Sequence, residues 1–163
     1  MAKSKRVPLI NTKTSKPLVR ADIVPRPRLI EQLNKGLDHP LTLVCAGAGF
    51  GKTTLISAWI DELAAQEKTA PEPAPLTAWL SLDEQDNIPN HFLRYFIAAV
   101  RTAVPTACSD TLGLLQARSD PDPALLLATL SNDLLLLPRN IVVALDDYHT
   151  IQGTAVHDLL NEL

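Results

Sequence analysis

Between Leu41 and Thr54 an apolar run, Leu41-Thr42-Leu43-Val44-Cys45, passes into Ala46-Gly47-Ala48-Gly49-Phe50-Gly51 and then into Lys52-Thr53-Thr54. A strand, a glycine-rich turn and a helix start in that order make the layout of a phosphate-binding P-loop. Glycines let the backbone curl until successive N–H groups point inward at phosphate oxygens. A helix beginning near Gly51 adds its positive end. Lys52 is then expected to reach the β- and γ-phosphates, and the Thr53 hydroxyl to ligate Mg²⁺. Gly47, Ala48, Gly49, Phe50, Gly51 and Thr54 complete the expected nucleotide-binding segment. The strict pattern begins with glycine, and here that position is Ala46; the inner glycines keep the turn feasible.

The chain has 163 residues, about one domain in length. An apolar fraction of 46% with only 4% aromatics suits an α/β protein built on Leu, Ile, Val and Ala. The net charge of −3 gives no nucleic-acid signature. Residues 1–20 differ, holding Lys3, Lys5, Arg6, Lys13, Lys16 and Arg20 and no acid. They read as a basic, flexible, solvated arm. Cys45 and Cys108 lack metal or redox spacing, as in a reduced cytoplasmic protein, and Cys45 is expected to be a small buried hydrophobe. Neither a signal peptide nor a membrane span is visible.

From residue 21 the pattern alternates. Pro27 suits the first turn of a helix carrying Leu29, Ile30, Leu33 and Leu37. Leu41–Cys45 reads as a central parallel strand buried on both faces. Leu55, Ile56, Trp59, Ile60 and Leu63 line the next helix. Pro71, Pro73 and Pro75 make a stiff connection to a second strand, 77–82. The acidic turn Asp83-Glu84-Gln85-Asp86-Asn87 follows, and Asn87 with Pro89 reads as a helix start. Phe92, Leu93, Phe96, Ile97 and Val100 form the face of that helix, with His91 expected to meet solvent. A short helix is expected around 112–117, another after Asp122-Pro123, a third strand at Ile141–Leu145 and a last helix over 154–163. The order predicts an open, mainly parallel α/β sheet with flanking helices, a P-loop NTPase fold over 21–163.

Asp146-Asp147 follows the third strand directly. The first carboxylate is expected to hold Mg²⁺ beside the Thr53 hydroxyl. The second stands where a carboxylate can orient or deprotonate an attacking water. Lys52 and Asp147 are thus the candidate catalytic residues, and Thr53 and Asp146 the candidate metal ligands.

Several segments together resemble one family. Val24-Pro25-Arg26, the 46–54 loop, Trp79-Leu80-Ser81-Leu82-Asp83-Glu84, Asp86-Asn87, Phe92-Leu93-Arg94-Tyr95 and Asp146-Asp147-Tyr148-His149 occur in an order similar to that of the large ATP-binding LuxR-type transcriptional regulators. The resemblance covers roughly residues 17–163. It implies ATP and Mg²⁺ as ligands and puts Val24 and Arg26 near the adenine. It also implies self-association through the ATPase region, slow hydrolysis that resets a switch, and DNA binding only through a C-terminal helix-turn-helix. The sensor strand, winged-helix and repeat regions of such relatives are not in this sequence. Their sheet order, 5-1-4-3-2, would leave either a gap beside Leu41–Cys45 or direct pairing of that segment with Ile141–Leu145. Two other readings stay open: an independent small P-loop kinase, and a catalytically silent nucleotide-binding or interaction module.

Overall fold

In the computed structural model, which describes residues 9–18, 24–66, 73–117 and 121–163, β1 is Leu76–Ser81 and β2 is Ile141–Asp146. They pair in parallel, from Leu76 opposite Ile141 to Ser81 opposite Asp146. Among the described residues the sheet has these two strands. Side chains alternate between its faces. Trp79, Val142 and Ala144 turn to one face; Ala78, Leu80, Ile141, Val143 and Leu145 turn to the other. Both faces are covered by helices, as a parallel sheet requires.

On the Trp79 face lie α1, Pro27–Gly36, and α2, Lys52–Gln66. They contribute Leu33, Trp59, Ile60 and Leu63 to a small apolar cluster. Trp59 is thus a core residue, and its indole Nε1 donates to Asn34 Oδ1 at 2.7 Å, joining the two helices. On the other face lie α3, Pro89–Ala103; α4, Ser109–Ala117; α5, Pro123–Leu135; and α6, Thr154–Asn161. Phe92, Leu93, Ile97, Val100 and Leu130 are fully buried in the larger cluster there. Asp122 caps α5 by accepting from Ala124 N at 3.1 Å.

α4 begins three residues earlier than the apolar pattern implies. Cys108 just before it is left-handed, with φ 53°, and its buried thiol is pushed up to about 11 by burial and the nearby Asp133. Asp133 reaches from α5 to accept from Thr111 N at 2.9 Å and Thr111 Oγ1 at 2.6 Å. A carboxylate on a helix N-terminus satisfies donors that would otherwise be orphaned.

Four expectations need correction. Leu41–Cys45 forms no strand, and Leu41 and Leu43 are 77% and 72% exposed. Strand formation needs a ladder partner, and β2 pairs with β1 alone among the described residues. Neither gap nor direct pairing makes a strand of it; Val44 instead packs on the α1–α2 cluster. Cys45 is accordingly exposed. His91 is half-buried, its Nδ1 3.0 Å from Asp86 Oδ1 and its ring against Tyr95.

The fourth concerns the basic arm. Residues 11–14 form a 3-10 turn on which Lys13 is buried at 8% exposure. Its ammonium lies 2.6 Å from Asp86, 3.0 Å from Asp83 and 4.4 Å from the centre of the Tyr95 ring. Buried opposite charge, absent from its own neighbourhood in sequence, holds it there. Lys3, Lys5, Arg6, Arg20 and Pro71 lie outside the described residues.

Candidate functional site

The glycine-rich loop turns as the residue types demand. Gly49 and Gly51 take φ 78° and 77°, a region open to glycine at little cost. Phe50 N donates to Gly47 O at 3.4 Å, and Leu55 N donates to Gly51 O at 2.9 Å, which starts α2. Lys52 folds over the loop, its Nζ donating to Ala46 O at 2.9 Å and Gly47 O at 3.1 Å. The ammonium thus sits on the loop's own carbonyls, within side-chain reach of anything bound above them. Arg26 Nη1 donates to Phe50 O at 3.0 Å and pins the loop to the start of α1.

β2 delivers the second half. Asp146 is two residues beyond Ala144 and four beyond Val142, so alternation aims its carboxylate at the α2 face. There Thr53 Oγ1 lies 3.1 Å from both Asp146 Oδ1 and Oδ2, across 93 residues of chain. A hydroxyl and a carboxylate are hard oxygen donors, and Mg²⁺ commonly takes one or two such protein ligands with water and phosphate completing its shell. The pair fits that ion. No cluster of three or more His, Cys, Asp or Glu suited to a metal occurs among the described residues.

Behind the loop a cavity of about 280 Å³ is lined by Arg26, Leu29, Gln32, Val44, Phe50 and Leu55, among others. Its lining is mostly apolar, with Arg26 and Lys52 as the charged side chains. Val24, expected there with Arg26, is 77% exposed. Ala48, Gly49, Phe50 and Thr54 are exposed at the surface around the loop.

Asp147 shares none of these contacts. It is exposed, its backbone is left-handed at φ 56° and ψ 33°, and its carboxylate lies 3.8 Å from His149 Nδ1. The next residue turns inward: Tyr148 Oη lies 2.5 Å from His157 Nδ1 on α6, and burial raises its pKa. The structure therefore brings Gly47, Gly51, Lys52, Thr53, Arg26 and Asp146 together and leaves Asp147 exposed beside His149.

Two residues carry contacts that no local pattern in the sequence shows. Lys13 looks like part of a solvated tail, because its acids lie 70 and 73 residues away. Asn87 looks like a helix cap, yet Ile88 is the N-cap of α3. Asn87 bonds instead to the segment after β2. Its position beside Asp86 in an acidic turn is the only local hint. No described helix is long and apolar enough to cross a membrane.

No protein-family model matches the chain. Curated relatives do. The HTH-type transcriptional regulator MalT of Cronobacter sakazakii is 36% identical over 152 residues, 93% of this chain and 16% of that protein. The proteins of the same name from Klebsiella pneumoniae and Yersinia enterocolitica are each 34% identical over the same share. The chain spans about a sixth of the length of these curated relatives, 16% in each. Nearly all of it is thus related to a part of these regulators, in agreement with the resemblance drawn from its motifs.

Proposed function

We propose that the chain is the ATP- and Mg²⁺-binding switch module of an ATP-dependent transcriptional regulator of the LuxR type, a P-loop NTPase by fold. The observation that carries this reading is the contact between Thr53 Oγ1 and the Asp146 carboxylate at 3.1 Å, which joins the glycine loop to the end of β2. A glycine turn by itself is common. A glycine turn followed by Lys-Thr, with the threonine hydroxyl already on a strand-end carboxylate, is the pairing that phosphoryl chemistry needs.

In this reading the loop amides of 47–51 hold the phosphates, and Lys52 leaves Ala46 O and Gly47 O to meet them. The cavity behind the loop takes the base, bounded by Arg26 and Phe50. Thr53 and Asp146 hold Mg²⁺, which when bound neutralises phosphate charge. Asp147 then orients the attacking water. It is one methylene shorter than the glutamate that many such ATPases use, and slow turnover follows. Self-association and promoter binding belong to the longer protein, with DNA read by a helix-turn-helix outside this sequence. The relatives' name, a helix-turn-helix-type regulator, supports that placement.

Calorimetry of ATP binding with and without Mg²⁺ tests the reading. The parent should bind more tightly with Mg²⁺. Lys52→Ala should lose ATP binding while melting like the parent, and Asp146→Asn should lose the gain from Mg²⁺. ATP affinity unchanged in Lys52→Ala would remove the basis of the assignment. Phosphoryl transfer to an added acceptor would favour the small-kinase reading instead.

A further inference from the structure

The loops that leave the carboxyl ends of β1 and β2 are tied by one side chain. Asn87 Nδ2 donates to Glu84 O at 3.0 Å and to Thr150 O at 2.9 Å. Its Oδ1 accepts from Gln152 N at 2.7 Å and Gly153 N at 2.9 Å. A primary amide has two N–H donors and two carbonyl lone pairs, so all four positions are used. One bond stays within the β1 turn, and three cross to the segment just after Asp147.

Just before that segment stands Asp147, which with Cys108 is one of two described non-glycine residues at positive φ. A left-handed non-glycine conformation such as that of Asp147 persists where the surroundings over-determine it. Thr150 supplies part of the restraint, donating to Asp147 O from its own N and from Oγ1, each at 3.0 Å. Thr150 in turn offers its carbonyl to Asn87. The turn that bears Asn87 is itself fixed, because Asp86 is fully buried and accepts from Asp83 N at 2.8 Å and Lys13 Nζ at 2.6 Å. A continuous path of bonds therefore runs from the buried Lys13–Asp86 pair through Asn87 and Thr150 to Asp147.

We infer that Asn87 is a positioning residue for Asp147: it holds the 148–153 loop so that the left-handed turn aims the Asp147 carboxylate past the end of β2. The catalytic consequence rests on the proposed function, since it is the Asp147 carboxylate that would orient water. The conformational part does not.

Asn87→Ala removes all four bonds. Amide hydrogen exchange should quicken over residues 147–153 and stay unchanged in β1 and β2. Single-turnover ATP hydrolysis should fall by about 10- to 100-fold, the scale of a misplaced catalytic group, with ATP affinity unchanged. A folded Asn87→Ala chain with parental exchange and parental turnover overturns the inference. So does a parallel fall in melting temperature, affinity and turnover, which would mark a stability role alone. Should Asn87→Ala not fold, Asn87→Asp keeps the acceptor for Gln152 and Gly153 and loses the donor to Thr150; faster exchange at 147–151 with slower turnover supports the inference, and parental values of both overturn it. A parent that binds ATP but hydrolyses none removes the catalytic role of Asp147 separately, and the exchange measurement still decides whether Asn87 holds the loop.

Discussion

The two halves of the candidate site are built to different standards. The half around β1, β2 and α3–α6 has a large core in which Phe92, Leu80 and Leu130 are fully buried, and its turns are locked by Asp86 and Asn87. The half around the glycine loop has a small cluster on α1 and α2, and leaves Leu41, Leu43 and Phe50 at 77%, 72% and 68% exposure. Both halves follow the same plan of apolar segment, turn and helix. They differ in whether the apolar segment has a neighbour to pair with. β1 and β2 pair with one another along one edge; Leu41–Cys45 has no ladder, so its β-branched and leucine residues bring little burial.

The sharpest way to break this contrast is to truncate one apolar side chain in each half. Phe92→Ala should cost about 4 kcal/mol, as large core deletions do. Leu43→Ala should change stability by less than about 0.5 kcal/mol, as at other exposed sites. Chemical denaturation measures both. Comparable losses would mean that Leu43 is buried in solution and the two halves are alike.

A somewhat smaller loss is expected at the buried ion pair. Lys13→Met leaves Asp86 without its ammonium, and removing one partner of a buried pair costs about 3 kcal/mol, the low end being apt because His91 still meets Asp86. The same substitution at Lys16, whose partner Asp61 is half exposed, should lie within about 0.5 kcal/mol. Equal effects from the two lysines would show that residues 9–18 are held no more firmly by Lys13 than by the surface.

The smallest effect is the pH dependence of that docking. Burial alone would raise the Asp83 pKa, but its bonds from Lys13 and Gln85 N outweigh this and hold it below the ordinary 3.8. Its contribution is therefore present above pH 3.8 and lost as pH falls through the depressed folded value. Burial likewise opposes the Lys13 charge, and its bonds to Asp86 and Asp83 more than offset this, raising it above 10.5. That contribution is complete below pH 10.5 and lost as pH rises through the raised value. Melting followed against pH should show a plateau between these limits, with an acid limb that Lys13→Met flattens. An acid limb unchanged in that variant would dissociate Asp83 from the docked segment.

The acid half was the more legible one for the same reason that it is the better built. Apolar runs bounded by turn residues mark the strands at 77–82 and 141–145, and the acid that follows the second is legible as a candidate ligand; the face it occupies is not. Pro27, Asp122-Pro123 and the Phe92–Val100 pattern named three helices through caps and apolar spacing, which act within a few residues. The loop glycines were legible too, because a positive φ is a local demand that Gly49 and Gly51 meet.

What failed were inferences about distant partners. Leu41–Cys45 has every local mark of a strand, and only the arrangement of the other strands could show that it lacks a ladder. Lys13 carries no local sign of burial, since its carboxylates come from a turn 70 residues away. Asn87 reads locally as part of the nearest helix start, whereas three of its four bonds go to residues beyond β2. By itself, then, the sequence determined the glycine turn, the places of β1 and β2, most helix starts and which residue types, Lys52, Thr53 and Asp146, stand as candidates for the site. Only the tertiary structure decided which apolar segment joins a sheet, which lysine is buried and how Asp147 is held. Helix, turn and strand alternation answer to neighbours within a few residues; ladders and buried ion pairs form between groups whose meeting no local pattern encodes.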